Sequence, residues 1–439
     1  VVAFGYNNKE SAVTEPEATT ATQNQPTTSA NYRKIMLGLL TLVMIFNLLD
    51  RQIIFILAEN IKLDLGLTDT QLGLLGGVTF SLIYALAALP LARLADRASK
   101  KKVLAGCIAL WSLMTAIGGL AQNFIQLALT RCGVALGEAG ANPASQAMIS
   151  EVFPPRERVR ALAILQTGVP LGIMLGLAGG GWMAEHYHWR TVLITVAVPS
   201  MLMAPLCLWL LRDAAVDSSP GGQRQGGFLA GIKELLAIPG FLWTLTGVAV
   251  FSFSAFSSVV FGAVFLIRLH DFSVGEAGLA FGLITGIAGF VATLAWGYIA
   301  ELAGRGHYRR PLRITAGACA LAAPLYILAW TIGSTAVMLA AFTLAWIMTA
   351  AYLPISNATI QNMAPPKLRA LAASLVVLSM SAVGNVTGAT LSGVLSDSLQ
   401  QVHGADGLRI ALSIVAAFGL VAALCYWRAA AKMPPPVEH

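Results

Sequence analysis

Four charged residues stand inside stretches of the sequence that are otherwise apolar: Asp50, Arg51, Arg131 and Glu138. A charge in an apolar stretch long enough to cross a membrane is costly, and such residues are usually retained for function. Arg131 and Glu138 are seven residues apart, two turns of a helix, so they share one face. Asp50 and Arg51 are adjacent, so their side chains diverge by about 100° on a helix and do not pair with each other. At 1.5 Å per residue, Asp50 lies about 12 Å and Arg131 about 9 Å below one surface, with Glu138 near the midplane. Burial favours the protonated form of a carboxyl and a nearby arginine favours the ionised form. Glu138, with Asp50 as a second site, therefore reads as a group that changes protonation as its surroundings change. Arg51 and Arg131 offer planar guanidinium forks suited to an anionic headgroup. The competing reading for each of the four is a permanent ion pair that only fixes helix packing.

The elements that must position these residues follow from composition. Of 439 residues, 56% are hydrophobic and 11% charged, against roughly 25% charged in a soluble domain. Such a chain cannot cover a water-facing surface, so most of its surface faces lipid. Twelve apolar runs approach the ~20 residues needed to cross a bilayer: 34–58, 70–95, 103–121, 125–150, 160–184, 191–212, 240–268, 275–302, 311–333, 335–362, 369–396 and 406–429. With both ends cytoplasmic, 22 of the 28 Lys and Arg lie on the cytoplasmic side and four (Lys62, Arg190, Arg268, Arg409) outside. That asymmetry supports an even number of spans, and it accounts for the net charge of +7 without nucleic acid. The five cysteines and six histidines lack metal or disulfide spacing, so no metal or cofactor is expected. Residues 1–30 read as a disordered polar tail without the apolar core of a signal peptide, and 431–439 as a short C-terminal tail.

The organisation is two six-helix bundles, 31–212 and 239–430, joined by a cytoplasmic linker, 213–238, containing SSPGGQRQGG. The halves resemble each other. Pro154-Pro155 with Arg160-Ala161-Leu162-Ala163 recurs as Pro365-Pro366 with Arg369-Ala370-Leu371-Ala372. Six-helix units repeated in the same orientation mark a transporter with its substrate site between them. Small residues at four-residue spacing fall in matching spans: Gly73, Gly77 and Ser81 in the second; Gly168, Gly172, Gly176 and Gly180 in the fifth; Gly278, Gly282 and Gly286 in the eighth; Gly384, Gly388, Ser392 and Ser396 in the eleventh. Because small residues allow close backbone approach, these rows read as smooth faces on which the halves meet and rock.

Residues 92–104, ARLADRASKKKVL, resemble the loop signature of the major facilitator superfamily, with Ala92 and Ser99 where glycine is usual. A weaker copy runs from Gly297 to Glu301. Asn47-Leu48-Leu49-Asp50-Arg51, the stretch from Arg131 to Gly137-Glu138-Ala139, and the PPRERVRA loop are similar to the Spinster family. The resemblance implies an all-α fold of twelve transmembrane helices, an amphiphilic lipid substrate of lysophospholipid or sphingosine-1-phosphate type, and proton coupling. It gives Asp96, with Arg97, Lys100 and Lys101, the role of a cytoplasmic gate that latches across the halves, with Glu151, Arg158, Arg160 and Glu301 as partners; the competing reading is solvated charge that sets topology.

The second half contributes polar but uncharged groups, among them Ser254 and Asn357, and a Phe-rich seventh span (Phe251, Phe253, Phe256, Phe261, Phe265). Charge on one wall and aromatics on the other suit a ligand with a polar head and an apolar tail, so Arg51, Arg131, Asn357, Ser254 and Phe256 are the expected substrate contacts. Neither G-x-S-x-G nor H-x-x-x-x-D is present, which argues against a lipid-modifying enzyme. The lack of G-x-x-x-x-G-K-[ST] excludes an ATP-driven pump. The sequons at Asn357 and Asn385 sit within spans. With the short loops, this points to a monomer in a bacterial inner membrane, carrying a lipid or, alternatively, another organic anion or drug.

Overall fold

The computed structural model describes residues 29–213, 228–304 and 309–433. The expected tails and the SSPGGQRQGG segment lie largely outside them. Eleven helices among the described residues are long and apolar enough to cross a membrane. They are α1 (Ala30–Ile56), α2 (Asp69–Ala88), α3 (Lys100–Gly118), α5 (Arg156–His186), α6 (Trp189–Leu210), α7 (Phe241–Leu269), α8 (Val274–Gly304), α9 (Arg309–Thr331), α10 (Thr335–Met363), α11 (Leu371–His403) and α12 (Asp406–Lys432). The remaining helix, α4 (Phe124–Val152), has 29 residues, about 43 Å at 1.5 Å per residue. It is the helix that carries Arg131 and Glu138, and their charge lowers its hydropathy. All twelve expected spans are therefore helical.

The ends of the helices show why they begin where they do. Asn123 caps α4 by accepting from Gln126 N–H, and Ser99 caps α3 by accepting from Lys102 N–H. The repeated Pro-Pro motif starts matching helices: Pro155 opens the helix Pro155–Gln166, and Pro366 opens a 3₁₀ turn, Pro366–Leu368, that leads into α11. Proline's missing N–H costs nothing in a first turn. α10 breaks at Ala350–Ala351, where Pro354 in the following turn has no N–H to offer back.

Tyr32 at the start of α1 accepts from the Arg212 N–H just past α6, and Arg309 at the start of α9 donates to the Met433 carbonyl just past α12. The first and last turns therefore share one face, here the linker face. The stretch expected as a plain linker carries a helix, Phe228–Ala237, whose Gly231 lies against Leu368 and Leu371.

The middles of four spans are π-helical: Gly77–Leu82 in α2, Leu175–Gly179 in α5, Leu283–Ala288 in α8 and Ser379–Asn385 in α11. These are the four spans with small-residue rows. Single π-turns widen a helix locally and mark functional positions.

The rows do not all do what was expected. In α2, a Cβ on Gly73 would collide with the Ala389 carbonyl of α11, and in α8 a Cβ on Gly278 would collide with the Leu177 carbonyl of α5. These rows do join the two groups of six spans. In α5, however, Gly168, Gly172 and Gly176 receive Met44, Ile45 and Leu49 of α1. In α11, Gly384 and Gly388 receive Ala249, Ser252 and Phe253 of α7. Most of those two rows therefore seat a neighbour within the same half. The glycines of α5 and α11 that meet the other half are Gly181 and Gly393, one residue further along and so about 100° around the helix.

Candidate functional site

The charged cluster assembles on one side of the molecule. α1 supplies Asp50 and Arg51, and α4 supplies Arg131 and Glu138. Glu138 is buried with a fully covered side chain, and Arg51 meets its Oε2 with Nε at 2.9 Å and Nη2 at 2.8 Å. Asp50 is fully buried and Arg131 nearly so. Asp50 lies within electrostatic reach of Glu138 and Arg131, with the hydroxyls of Thr115 (α3) and Ser200 (α6) beside it. Removing one partner of a buried ion pair strands the other and costs about 3–5 kcal/mol, so neither Arg51 nor Glu138 is replaced alone without penalty.

α2 adds two aromatic rings that the sequence reading missed. Phe80 lies against both arginines, with its ring centroid 5.0 Å from the Arg51 guanidinium carbon and 4.8 Å from that of Arg131. Tyr84 flanks Arg51 at 4.7 Å and stacks on Phe80. No spacing rule marks these rings, because only the packing of α2 on α1 and α4 brings them to the charges.

Around the cluster, several buried polar atoms have no hydrogen-bond partner among the described residues: both carboxylate oxygens of Asp50, Glu138 Oε1, Arg131 Nε and Nη2, Asn47 Nδ2, Trp111 Nε1, and the hydroxyls of Ser112 and Thr115. Leaving such groups unpaired costs about 1–3 kcal/mol each, so a concentration of them marks a place with work beyond stability. In the second six spans several buried hydroxyls pair internally, Ser252 with Tyr352, Tyr326 with Thr349, and Ser356 with Tyr426, while those of Thr390 and Ser392 on α11 do not.

The expected contacts from that second half are spread out. Ser254 is buried and Asn357 half-buried. Phe256 is half-buried and packs edge-on against Phe55 of α1, with centroids 6.0 Å apart. The other five phenylalanines of α7 are interior: Phe251 packs on Tyr352, Phe253 on Phe418 and Phe265 on Trp330, and Phe241 and Phe261 are fully buried. An aromatic wall reduces to Phe256, because α7 is the most enclosed of the spans that qualify by hydropathy.

The face opposite the linker is sealed by groups that were read only as topology markers or not at all. Arg268, in the last turn of α7, donates to Glu59 at 2.7 Å and to both oxygens of Asp69 at 2.9 Å. Asp69 is fully buried at the start of α2 and also receives Lys62 at 2.6 Å and the Ser396 hydroxyl of α11 at 2.6 Å. Asp397 of α11 accepts from the N–H groups of Asp69 (2.9 Å) and Thr70 (2.8 Å) and from the Thr70 hydroxyl (2.6 Å). The first N–H groups of a helix have no partner of their own and carry partial positive charge. Two of those in α2 are filled by a carboxylate from the other half, and the third by Thr68 through a capping box with Gln71. The Thr68-x-x-Gln71 pattern was the available signal. Asp397 fell one residue past the expected end of its span. The arrangement is echoed across the pseudo-twofold, where the Glu185 carboxylate of α5 lies against Gly275 at the start of α8. Arg190 pairs with Asp64 within the first half, and its hydrogen bond holds that carboxyl below the usual range.

On the linker face three pairs lie within the first half. Lys100 meets Glu151 at 2.7 Å, Arg33 meets Glu157 at 2.8 Å, and Asp213 accepts from Ser99 and from the Lys101 N–H. Arg158 donates to the Phe153 carbonyl, and Arg160 and Glu301 are exposed. The side chains of Asp96 and Arg97 lie outside those described.

Comparison with known proteins agrees with this architecture. The chain is 36% identical over 404 residues to an MFS-type efflux pump of Mycolicibacterium smegmatis, covering 90% of this chain and 92% of that protein. It is 23% identical over 459 residues to protein spinster homolog 1 of Xenopus laevis, covering 94% and 86%. Among solved structures it is similar to a bacterial homologue of the human lysosomal transporter Spinster in an inward-facing, unoccupied conformation, with a TM-score of 0.82, 27% identity, and coverage of 92% of this chain and 98% of that one. Residues 40–376 match the Major Facilitator Superfamily; the chain belongs to that family and is a multi-pass membrane transporter, not an enzyme.

Proposed function

We propose that this transporter moves an amphiphilic lipid with an anionic headgroup by proton-coupled alternating access. The observation that carries the reading is the contrast between the two halves. Buried ionisable side chains with unpaired atoms, Asp50, Arg131 and Glu138, gather between α1 and α4, while the buried groups that face them from the second half, such as Ser254, are uncharged. In this reading Arg51 and Arg131 receive the headgroup, Ser254, Asn357 and Phe256 meet the rest of the molecule, and Glu138 with Asp50 carries the proton. The likeness to a Spinster homologue supports the lipid assignment.

The linker face is taken as cytoplasmic from the distribution of Lys and Arg. With the opposite face sealed, we read this as the inward-open state, and the protein as one of a bacterial inner membrane working as a monomer. On this reading Asp96, Arg97, Lys100 and Lys101 latch against the second half only in the outward-open state, while Lys100 rests on Glu151 in this one. The sign of the proton effect follows from the ion pair. The state that keeps Arg51 on Glu138 binds fewer protons, so acidification favours the state in which the pair is broken.

Uptake of a fluorescent lysophospholipid into proteoliposomes, with and without a pH gradient, tests the reading in the wild type and in Glu138→Gln. Gradient-stimulated uptake that the variant loses is expected. A second reading, export of another organic anion or drug, is favoured by the 36% identical efflux pump. It prevails if lipid uptake stays at the level of empty liposomes while a non-lipid anion or drug is carried.

A further inference from the structure

We infer that Phe80 is a positioning residue that ties the Arg51–Glu138 pair to the seam between the two halves, through the π-turn that carries it. The inference rests on the proton-coupling reading above and adds the part that links charge to movement.

The turn Gly77–Leu82 has two working edges. On one, Gly77 lies on α11: a Cβ there would sit 2.9 Å from the Val386 carbonyl and 3.1 Å from the Thr390 hydroxyl. Val386 directly follows the π-turn Ser379–Asn385, so the two irregular segments adjoin across the seam. On the other edge, three residues on, Phe80 is buried with both guanidinium carbons close to its ring, 5.0 and 4.8 Å from the centroid. The Ser81 hydroxyl donates to the Gly76 carbonyl five residues back and braces the widened turn. A ring attracts cations over its faces. It therefore attracts both guanidiniums, and Arg51 among them makes the hydrogen-bonded pair with Glu138. Because Gly77 and Phe80 belong to one short braced turn, movement at the α11 seam reaches the ring and hence Arg51.

The groups facing Glu138 are few. α1 presents Asp50 and Arg51, α2 Tyr84, and α4 itself Arg131. α3 brings Cys107, which lies against Gly140, and α6 brings the hydroxyl of Ser200 beside Asp50. Loosening Arg51 weakens the paired state alone, so the acid-driven change of state then begins at higher pH.

The test needs no substrate. Spin labels at Leu63 and Val402, which are 74% and 77% exposed on opposite halves of the sealed face, report its opening by electron–electron distance measurement, in a background without native cysteines and across pH. In the wild type the sealed face is expected to open as pH falls. Phe80→Leu is expected to move the midpoint up by about half a unit to one unit. Phe80→Tyr, which keeps a ring, is expected to restore it. Phe80→Met removes the ring with a longer, flexible side chain that adapts to the space left and should behave as Phe80→Leu does, which also covers the case in which the leucine variant fails to fold. In Glu138→Gln, Phe80→Leu should change nothing further. An unmoved midpoint in the Leu and Met variants, alongside loss of the transition in Glu138→Gln, overturns the role of Phe80 and leaves proton coupling standing. A wild type whose distances ignore pH overturns both.

Discussion

Asp397→Ala tests the sealed face most directly. The Asp397 carboxylate accepts three hydrogen bonds from the start of α2, at 2.9, 2.8 and 2.6 Å, and it neutralises the positive end of that helix. Hydrogen bonds to a charged group contribute about 1.5–3 kcal/mol when well enclosed, and a charge at a helix end about 0.3–1 kcal/mol. Asp397 is half-buried, so the three bonds share one partly screened charge, and about 2–3 kcal/mol is a fair total. These bonds join the two halves and are replaced by water when the face opens. The loss therefore falls on the sealed state and shifts the equilibrium about 30- to 140-fold towards the open one. If the open form is about 1% of wild type, it rises to roughly a quarter or more. Distance measurement between labels at Leu63 and Val402 reads this directly as a second, longer population. Asp397→Asn keeps an acceptor without the charge and is expected to give a smaller shift. Combining Thr70→Ala with Asp397→Ala should add less than the sum, because the two share a bond. A distance distribution in Asp397→Ala that matches wild type would refute the reasoning.

Three other outcomes are expected. Glu138→Gln removes the pH dependence of both uptake and conformation, measured in the same proteoliposomes; a variant that still responds to pH assigns the proton elsewhere. Arg51→Lys keeps the charge but loses the planar fork, so the apparent KM for an anionic-headgroup lipid should rise about tenfold with a smaller change in kcat, whereas an unchanged KM would move the headgroup to Arg131. Gly73→Ala and Gly278→Ala place a methyl against a backbone carbonyl of the other half, at an overpacking cost of about 1–3 kcal/mol that falls on the sealed state. Gly388→Ala meets its own half at Phe253, so it should lower the melting temperature without changing the Leu63–Val402 distances.

Much of this protein is legible in its sequence. The twelve spans follow from the length of apolar runs, because a backbone in lipid must satisfy its own hydrogen bonds and a helix does so locally. The conspicuous charges were legible for the complementary reason. In a chain with so few of them, Asp50, Arg51, Arg131 and Glu138 stand out where lipid would exclude them, and spacing places Arg131 and Glu138 on one face. Tertiary structure decided what these residues touch. Arg51, not Arg131, makes the hydrogen-bonded pair with Glu138, and the packing of α2 brings Phe80 against both arginines. Glycine spacing identified the four irregular spans but not their partners: a four-residue row fixes a face, while a shift of one residue, from Gly180 to Gly181, turns the contact from α1 to α8. The seal at Asp69, Arg268 and Asp397 was invisible along the chain. Its members are more than 120 residues apart, each is an ordinary loop or helix-end charge in isolation, and only the packing of α2 on α11 brings a carboxylate to the open end of a helix.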